Sequence, residues 1–316
     1  MALPNGFTIE HRGRVSSSKL PARTKANSWQ LKNLKGAVGS QPSIESDELQ
    51  RIQAELSKLE NPPQGAEAEW ESFVNQAGRC RLGLKPSNAE EAARYTAEQM
   101  NKVVIDFDPS DLKSIEQRVL KVLNEANFTP KSTPGCPLDN IYRNDGEVFA
   151  EANRHIIVGL VLDRMTKLSR STLETLKMMS IEELVEGNYI DPIKISVKNE
   201  PNTIKKLTEK RQRIICMQSI INQFCERMIY DEMLADQIKN WKKHCKKVGM
   251  GFSKEQVSDF LATLRFKLGD RIISDDVQAY DWSRQEWMRF CDRILLHIVI
   301  QGCPALQDMI DKFEYL

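Results

Sequence analysis

The sequence predicts an α+β fold rich in helix. Apolar residues recur at helical spacing through most of the chain, and two serine–glutamate pairs three residues apart mark helix starts. A single stretch, Ile193–Val197, switches to period-two alternation. The chain has 316 residues, enough for one large domain or two ordinary ones, and its 41% hydrophobic content supports a buried core.

The first 45 residues are read as a basic, disordered leader. No acidic residue falls between His11 and Ile44, whereas Arg12, Arg14, Lys19, Arg23, Lys25, Lys32 and Lys35 do. Such a leader is either solvated or a phosphate-binding arm, and the two are compatible. The net charge of +1 points to no nucleic-acid partner by itself.

Leu49, Ile52, Leu56 and Leu59 then predict a helix capped by Ser46 and stopped by Asn61-Pro62-Pro63. Further helices are expected over Asn88–Lys102 and Ile115–Leu123, followed by a Pro- and Gly-bearing loop over Thr129–Asp145. Val148–Leu168 reads as one long helix turning Ile156, Ile157, Leu160, Val161 and Met165 to a core. Ser180 and Glu183 form a capping box for a helix ending at Gly187.

Ile193, Ile195 and Val197 then alternate with Lys194, Ser196 and Lys198, and Ile214-Ile215 suggests a second strand. Ile220, Ile221, Phe224, Met228 and Ile229 mark a helix, and Val-Gly-Met-Gly within Lys247–Ser253 is a turn. Arg271–Asp276 reads as a strand. Ser283-x-x-Glu286 opens a last helix, closed by Gly302 and Pro304.

Seven scattered cysteines without a CxxC pair argue for reduced thiols, and the few His–Cys neighbours are too sparse for zinc. No signal peptide and no apolar run of about 18 residues is visible, so no transmembrane segment is expected.

Two segments carry chemistry. At the end of the Arg271–Asp276 strand, Asp276 can reach a hard cation, and Asp281 sits five residues on, before a helix. The same aspartates can simply cap that helix and oppose its dipole. Between the two β-like segments, Lys198, Lys205, Lys206, Lys210, Arg211 and Arg213 crowd into sixteen residues around Glu200-Pro201-Asn202. A basic hairpin of this kind suits a triphosphate, since arginine offers a planar fork and lysine a point charge. A solvated basic loop, or general RNA-backbone binding, uses the same residues.

In order, Asp191-Pro-Ile-Lys-Ile-Ser-Val-Lys-Asn-Glu-Pro201, Glu209-Lys-Arg-Gln-Arg-Ile-Ile215 and Asp276-Val-Gln-Ala-Tyr-Asp-Trp-Ser-Arg-Gln-Glu-Trp287 resemble the sobemovirus and polerovirus group of RNA-dependent RNA polymerases. Ser132-Thr-Pro-Gly-Cys-Pro137, Ile181-Glu-Glu-Leu184 and Gly249-Met-Gly-Phe-Ser253 also look like that group. The resemblance covers roughly residues 130–300. It implies a right-hand polymerase fold: a helical fingers region over 46–190, fingers with the basic motif F over 191–266, and the start of a palm with motif A over 267–316.

By that match Lys198, Lys206, Arg211 and Arg213 would contact the incoming triphosphate or template, with Lys194, Lys205 and Lys210 along the RNA. Asp276 would be the catalytic metal ligand for Mg²⁺ or Mn²⁺ in a two-metal mechanism, and Asp281 would sense the ribose hydroxyls. Asp276 is preferred to Asp275 because strand alternation turns Asp275 away and only Asp276 has the group's spacing to Asp281. RNA template, nascent strand and nucleoside triphosphates would be the partners, in a replication complex of the host cytoplasm.

The resemblance also implies a motif B and a motif C with Gly-Asp-Asp. Neither occurs here, and Gly269-Asp270 lies upstream of motif A. The expectation is an incomplete palm and a chain that does not polymerise RNA alone, with the remainder in a missing C-terminal part or a second chain. An RNA- or nucleotide-binding module without chemistry, and a purely structural or interaction protein, are the competing classes.

Overall fold

The computed structural model describes residues 46–79, 83–125, 128–242, 253–268 and 285–316. The leader, the Val-Gly-Met-Gly turn, the strand expected over 271–276 and the Ser283 cap lie outside them.

In chain order the elements are α1 (Ser46–Ser57), β1 (Leu59–Glu60), α2 (Ala66–Ala77), α3 (Ala89–Glu98), β2 (Val103–Val104) and α4 (Leu112–Glu125). Then come α5 (Asp145–Val148), α6 (Arg154–Arg170), α7 (Leu173–Met178), α8 (Ile181–Glu186), β3 (Lys194–Val197), β4 (Asn202–Thr203), α9 (Ile204–Thr208) and β5 (Ile214–Met217). The last are α10 (Ile220–Lys239), α11 (Lys254–Leu268), α12 (Glu286–Val299), β6 (Ile300–Gln301) and α13 (Pro304–Tyr315). The α+β reading holds. Among the described residues no helix is long and apolar enough to cross a membrane.

The chain divides into two units. In the first, residues 46–79 combine with Lys194–Met217. β3 pairs antiparallel with β5 in the register Lys194↔Met217 to Val197↔Ile214, and β1 pairs antiparallel with β4. α2 packs across β3 and β5. Its apolar positions, Trp70, Phe73, Val74 and Ala77, recur at helical spacing, and Ala77 is buried.

The second unit holds the main core, where α4, α6, α10 and α13 pack together. Val119, Ile157, Val161, Met165, Phe224 and Met228 are wholly enclosed. Burying each such side chain contributes about 1.5–3 kcal/mol. β2 and β6 pair in parallel, and α12 lies along α3.

Three expectations change in detail. The long helix over 148–168 is broken: α5 ends at Val148 and α6 begins at Arg154. The break is satisfied locally, because Asn153 Nδ2 donates to the Glu147 carbonyl at 2.8 Å and Arg154 Nε to the Phe149 carbonyl at 3.1 Å. Ile156 therefore turns outward, 37% exposed, while Ile157, Val161 and Met165 form the buried stripe. The helix over 88–102 stops at Glu98, since Val103 and Val104 are drawn into pairing with β6. Pro304 does not merely close α12; it occupies the first turn of α13, where its missing N–H costs nothing. The Ser180–Glu183 capping box is present as expected.

Candidate functional site

The basic segment is a hairpin with a structured connection. β3 and β5 form its stem, and Lys198 N–H donates to the Arg213 carbonyl at 2.7 Å beyond the last strand pair. Between them the chain does not turn tightly at Glu200-Pro201-Asn202 but passes through β4 and α9. Thr203 caps α9, its hydroxyl accepting from Lys206 N–H. Lys210 takes a left-handed conformation (φ 51°), and Arg211 N–H returns to the Lys206 carbonyl at 2.9 Å. This reversal folds Arg211 back against Lys206. Arg211 and Arg213 thus precede the strand instead of lying in it.

α2 fixes the other side of this turn. The Ser72 hydroxyl bonds the Gln212 side chain, and both residues are buried. Gln76 Nε2 donates to the carbonyls of Arg211 at 3.3 Å and Gln212 at 3.1 Å. With Gln212 turned inward and its backbone pinned, Arg211 and Arg213 on either side are directed elsewhere. They meet Lys206 and Arg79 in a cleft of about 750 Å³, which also has Phe73 and Ile214 in its wall and Glu200 as an acid.

The structure therefore brings together three of the predicted residues, Lys206, Arg211 and Arg213, and adds Arg79. Lys198 is not in the cleft wall; its ammonium lies 2.7 Å from Glu200. Arg213 reaches the same carboxylate only at 3.8 Å and is 68% exposed. A contact so loose and wet is worth about 0–1 kcal/mol, so the guanidinium is readily recruited by a stronger anion. Arg211 pairs with Glu209, and Lys210 with Glu71. Lys205 is exposed on α9. Lys194 lies near Glu69, whose carboxyl is pushed up by burial while the Lys194 charge opposes the shift. Asp276 and Asp281 lie outside the described residues. Among the described residues no three His, Cys, Asp or Glu side chains converge to hold a metal.

The two ends of the basic segment are tied to each other in the second unit. Arg164, 1% exposed, donates to the Asn188 carbonyl at 2.9 Å, to Asn188 Oδ1 at 2.7 Å, to Asp191 Oδ1 at 2.8 Å and to Asn222 Oδ1. The other Asp191 oxygen accepts from the Ser219 hydroxyl, which also caps α10. Asp191 precedes β3 and Ser219 follows β5, so one buried network holds both ends. The loop over 132–137 seals it: Ile220 N–H donates to the Pro134 carbonyl at 2.7 Å. Gly135, at φ 72°, lies so close that a Cβ would sit 2.7 Å from the Gln218 carbonyl oxygen. This gives a packing reason for the glycine of Ser132-Thr-Pro-Gly-Cys-Pro137.

A family model for viral RNA-directed RNA polymerase matches residues 20–280, the greater part of the chain and the whole of the basic cleft. The chain belongs to that family. The chain is 29% identical over 267 residues to the "Replicase polyprotein P2AB" of Southern cowpea mosaic virus, covering 81% of this chain and 27% of the relative. It is 30% identical to the namesake protein of Southern bean mosaic virus (80% of this chain, 26% of the relative). It is 31% identical to the "Protein P1-P2" of Potato leafroll virus from Scotland (72% of this chain, 23% of the relative). The chain thus spans about a quarter of the length of these curated relatives. The sobemovirus and polerovirus resemblance read from the motifs is upheld.

Proposed function

We propose that this chain supplies the nucleotide-entry and first metal-binding parts of a virus-encoded RNA-dependent RNA polymerase, with a right-hand fold. In this reading residues 1–45 are a basic leader, 46–190 the helical fingers, 191–266 the fingers with motif F, and 267–316 the start of the palm. The observation that carries it is the cleft in which Lys206, Arg211 and Arg213 converge, within a family member and at the residues that resemble motif F.

The cleft has the chemistry for a triphosphate. Among the described residues of its wall, the cations outnumber the Glu200 carboxylate, so the cleft offsets the charge that a triphosphate concentrates. Arg211 and Arg213 act as forks on phosphate oxygens, Lys206 as a point charge, and Lys198 with Glu200 sets the charge at the rim. Lys194, Lys205 and Lys210 line the path of the RNA. Asp276 would hold Mg²⁺ or Mn²⁺, for which its hard carboxylate oxygens are the right donor type, and Asp281 would read the ribose hydroxyls. The metal, when bound, stabilises the attacking and leaving oxygens of phosphoryl transfer. The protein's share is to hold the triphosphate in line and to neutralise it.

No Gly-Asp-Asp occurs in these 316 residues, so elongation needs a motif C from elsewhere and these residues alone do not polymerise RNA. The test is a titration of fluorescent nucleoside triphosphate into the 316-residue chain with and without Mn²⁺. The reading predicts binding that Mn²⁺ strengthens, that Arg213→Ala weakens in either condition, and that loses its Mn²⁺ dependence in Asp276→Ala. Triphosphate affinity untouched by Arg213→Ala and by Asp276→Ala sinks it.

A further inference from the structure

We infer that Arg79 is a further phosphate-binding residue of the cleft, positioned by Gln76, and that α2 is one wall of the site; the inference rests on the reading of the cleft just given. Arg79 lies two residues beyond α2 and lines the same cavity as Lys206, Arg211 and Arg213. Its Nη1 donates to Gln76 Oε1 at 3.0 Å. The amide nitrogen of that glutamine is committed to the carbonyls of Arg211 and Gln212. One neutral side chain therefore links the Arg79 guanidinium to the backbone that presents Arg211 and Arg213.

The choice of partner matters electrostatically. Arg211 and Lys210 face Glu209 and Glu71, which cancel much of their charge. Among the described residues Arg79 has no acidic partner, and its hydrogen bond is to an amide. Glutamine oxygen orients a guanidinium without neutralising it, and leaves most of its five donors for another acceptor. An arginine kept half-buried, oriented and uncompensated beside three other cations is repelled by them. Glu200, the acid in the cleft wall, is already engaged by Lys198 at 2.7 Å, so the surplus positive charge favours a further anion in the cleft. Phosphate oxygens fit it, from a nucleoside triphosphate or from an RNA phosphodiester.

The experiment uses the full 316-residue chain. A fluorescent nucleoside triphosphate and a short single-stranded RNA are titrated separately into the wild type, Arg79→Ala, Arg79→Lys, Gln76→Ala and Arg213→Ala, with thermal melting recorded for each. Arg79→Ala is expected to weaken the phosphate ligand about tenfold, as for the loss of one charge-assisted hydrogen bond, with an unchanged melt. Arg79→Lys keeps part of the affinity, which a purely structural role would not restore. Gln76→Ala gives a smaller loss in the same direction. A loss confined to the triphosphate assigns the contact to the nucleotide. A loss for RNA, with its salt slope lowered by about one, assigns it to the strand. Unchanged binding of both ligands by Arg79→Ala, while Arg213→Ala is weakened, overturns this inference alone. Unchanged binding in Arg213→Ala as well removes the cleft reading and the inference with it.

Discussion

Arg164→Met removes the cation at the centre of the network that ties the two ends of the basic segment. Arg164 is 1% and the Asp191 side chain 7% exposed, so the substitution strands a carboxylate out of reach of water, with the Ser219 hydroxyl as its remaining partner among those described. It also withdraws the donors from the Asn188 carbonyl, Asn188 Oδ1 and Asn222 Oδ1. Breaking a buried pair on one side costs about 3–5 kcal/mol, and methionine recovers part of the volume but none of the charge. Urea denaturation followed by circular dichroism at pH 7 reads this as a lower midpoint with a similar slope. Asp191→Asn, which leaves the guanidinium facing a neutral amide, is expected to cost somewhat less. The double variant is expected to cost clearly less than the sum of the two singles, because each single change already removes the shared interaction. Two single variants each within about 1 kcal/mol of the wild type, with additive effects, refute the network as an anchor.

Other consequences follow from packing and charge. Gly135→Ala places a Cβ against the Gln218 carbonyl at φ 72° and is expected to cost about 2 kcal/mol or more, measured by thermal melting. Burial pushes the Asp145 carboxyl up to about 6, and its Oδ1 has no hydrogen-bond partner. A raised carboxyl stabilises the fold only while protonated, so its contribution is complete below about pH 4 and lost as pH rises through about 6. Asp145→Asn is therefore expected to gain up to about 3 kcal/mol at pH 8 and almost nothing at pH 4, as denaturation at the two pH values will show. Burial opposes the charge on Glu232, but hydrogen bonds from Arg118 and Lys121 outweigh it and hold the carboxyl at about 2. That stability is present above about pH 4.5 and lost as pH falls toward 2. Arg118→Met should therefore remove the larger part of this acid-sensitive stability at pH 7, leaving the share that Lys121 holds.

The parts legible in the sequence are those set by local rules. The strand expected at Ile193–Val197 and the Ser180–Glu183 capping box each depend on residues within one element, and both are present in the fold, the strand as Lys194–Val197 with Val197 buried and Ile193 left exposed before it. The stripe Trp70, Phe73, Val74 and Ala77 is equally local, yet α2 is absent from the sequence expectations, in keeping with Gly65, a weaker start signal than serine, as its N-terminal cap. The break before Arg154 was not legible, because Asn153 and Arg154 satisfy the backbone through side chains that a hydrophobic period does not register. In the cleft, the density of cations was visible but their division of labour was not. Lys210 and Arg211 are matched to Glu71 and Glu209. Arg79 and Gln76 join the site from more than a hundred residues upstream, and only the tertiary fold pairs Gln76 with the Arg211 carbonyl. The carboxylates Asp276 and Asp281 lie outside the described residues and stand on the resemblance.

The central claim, that the cleft beside α9 receives a triphosphate, is tested most directly by an acyl-phosphate nucleotide probe, which transfers its acyl group to the lysine amine nearest the bound polyphosphate. Labelling of the 316-residue chain followed by peptide mapping should mark Lys206 first, and excess nucleoside triphosphate should suppress that label selectively. Label spread over lysines away from the cleft, or label at Lys206 that excess triphosphate does not suppress, contradicts the account.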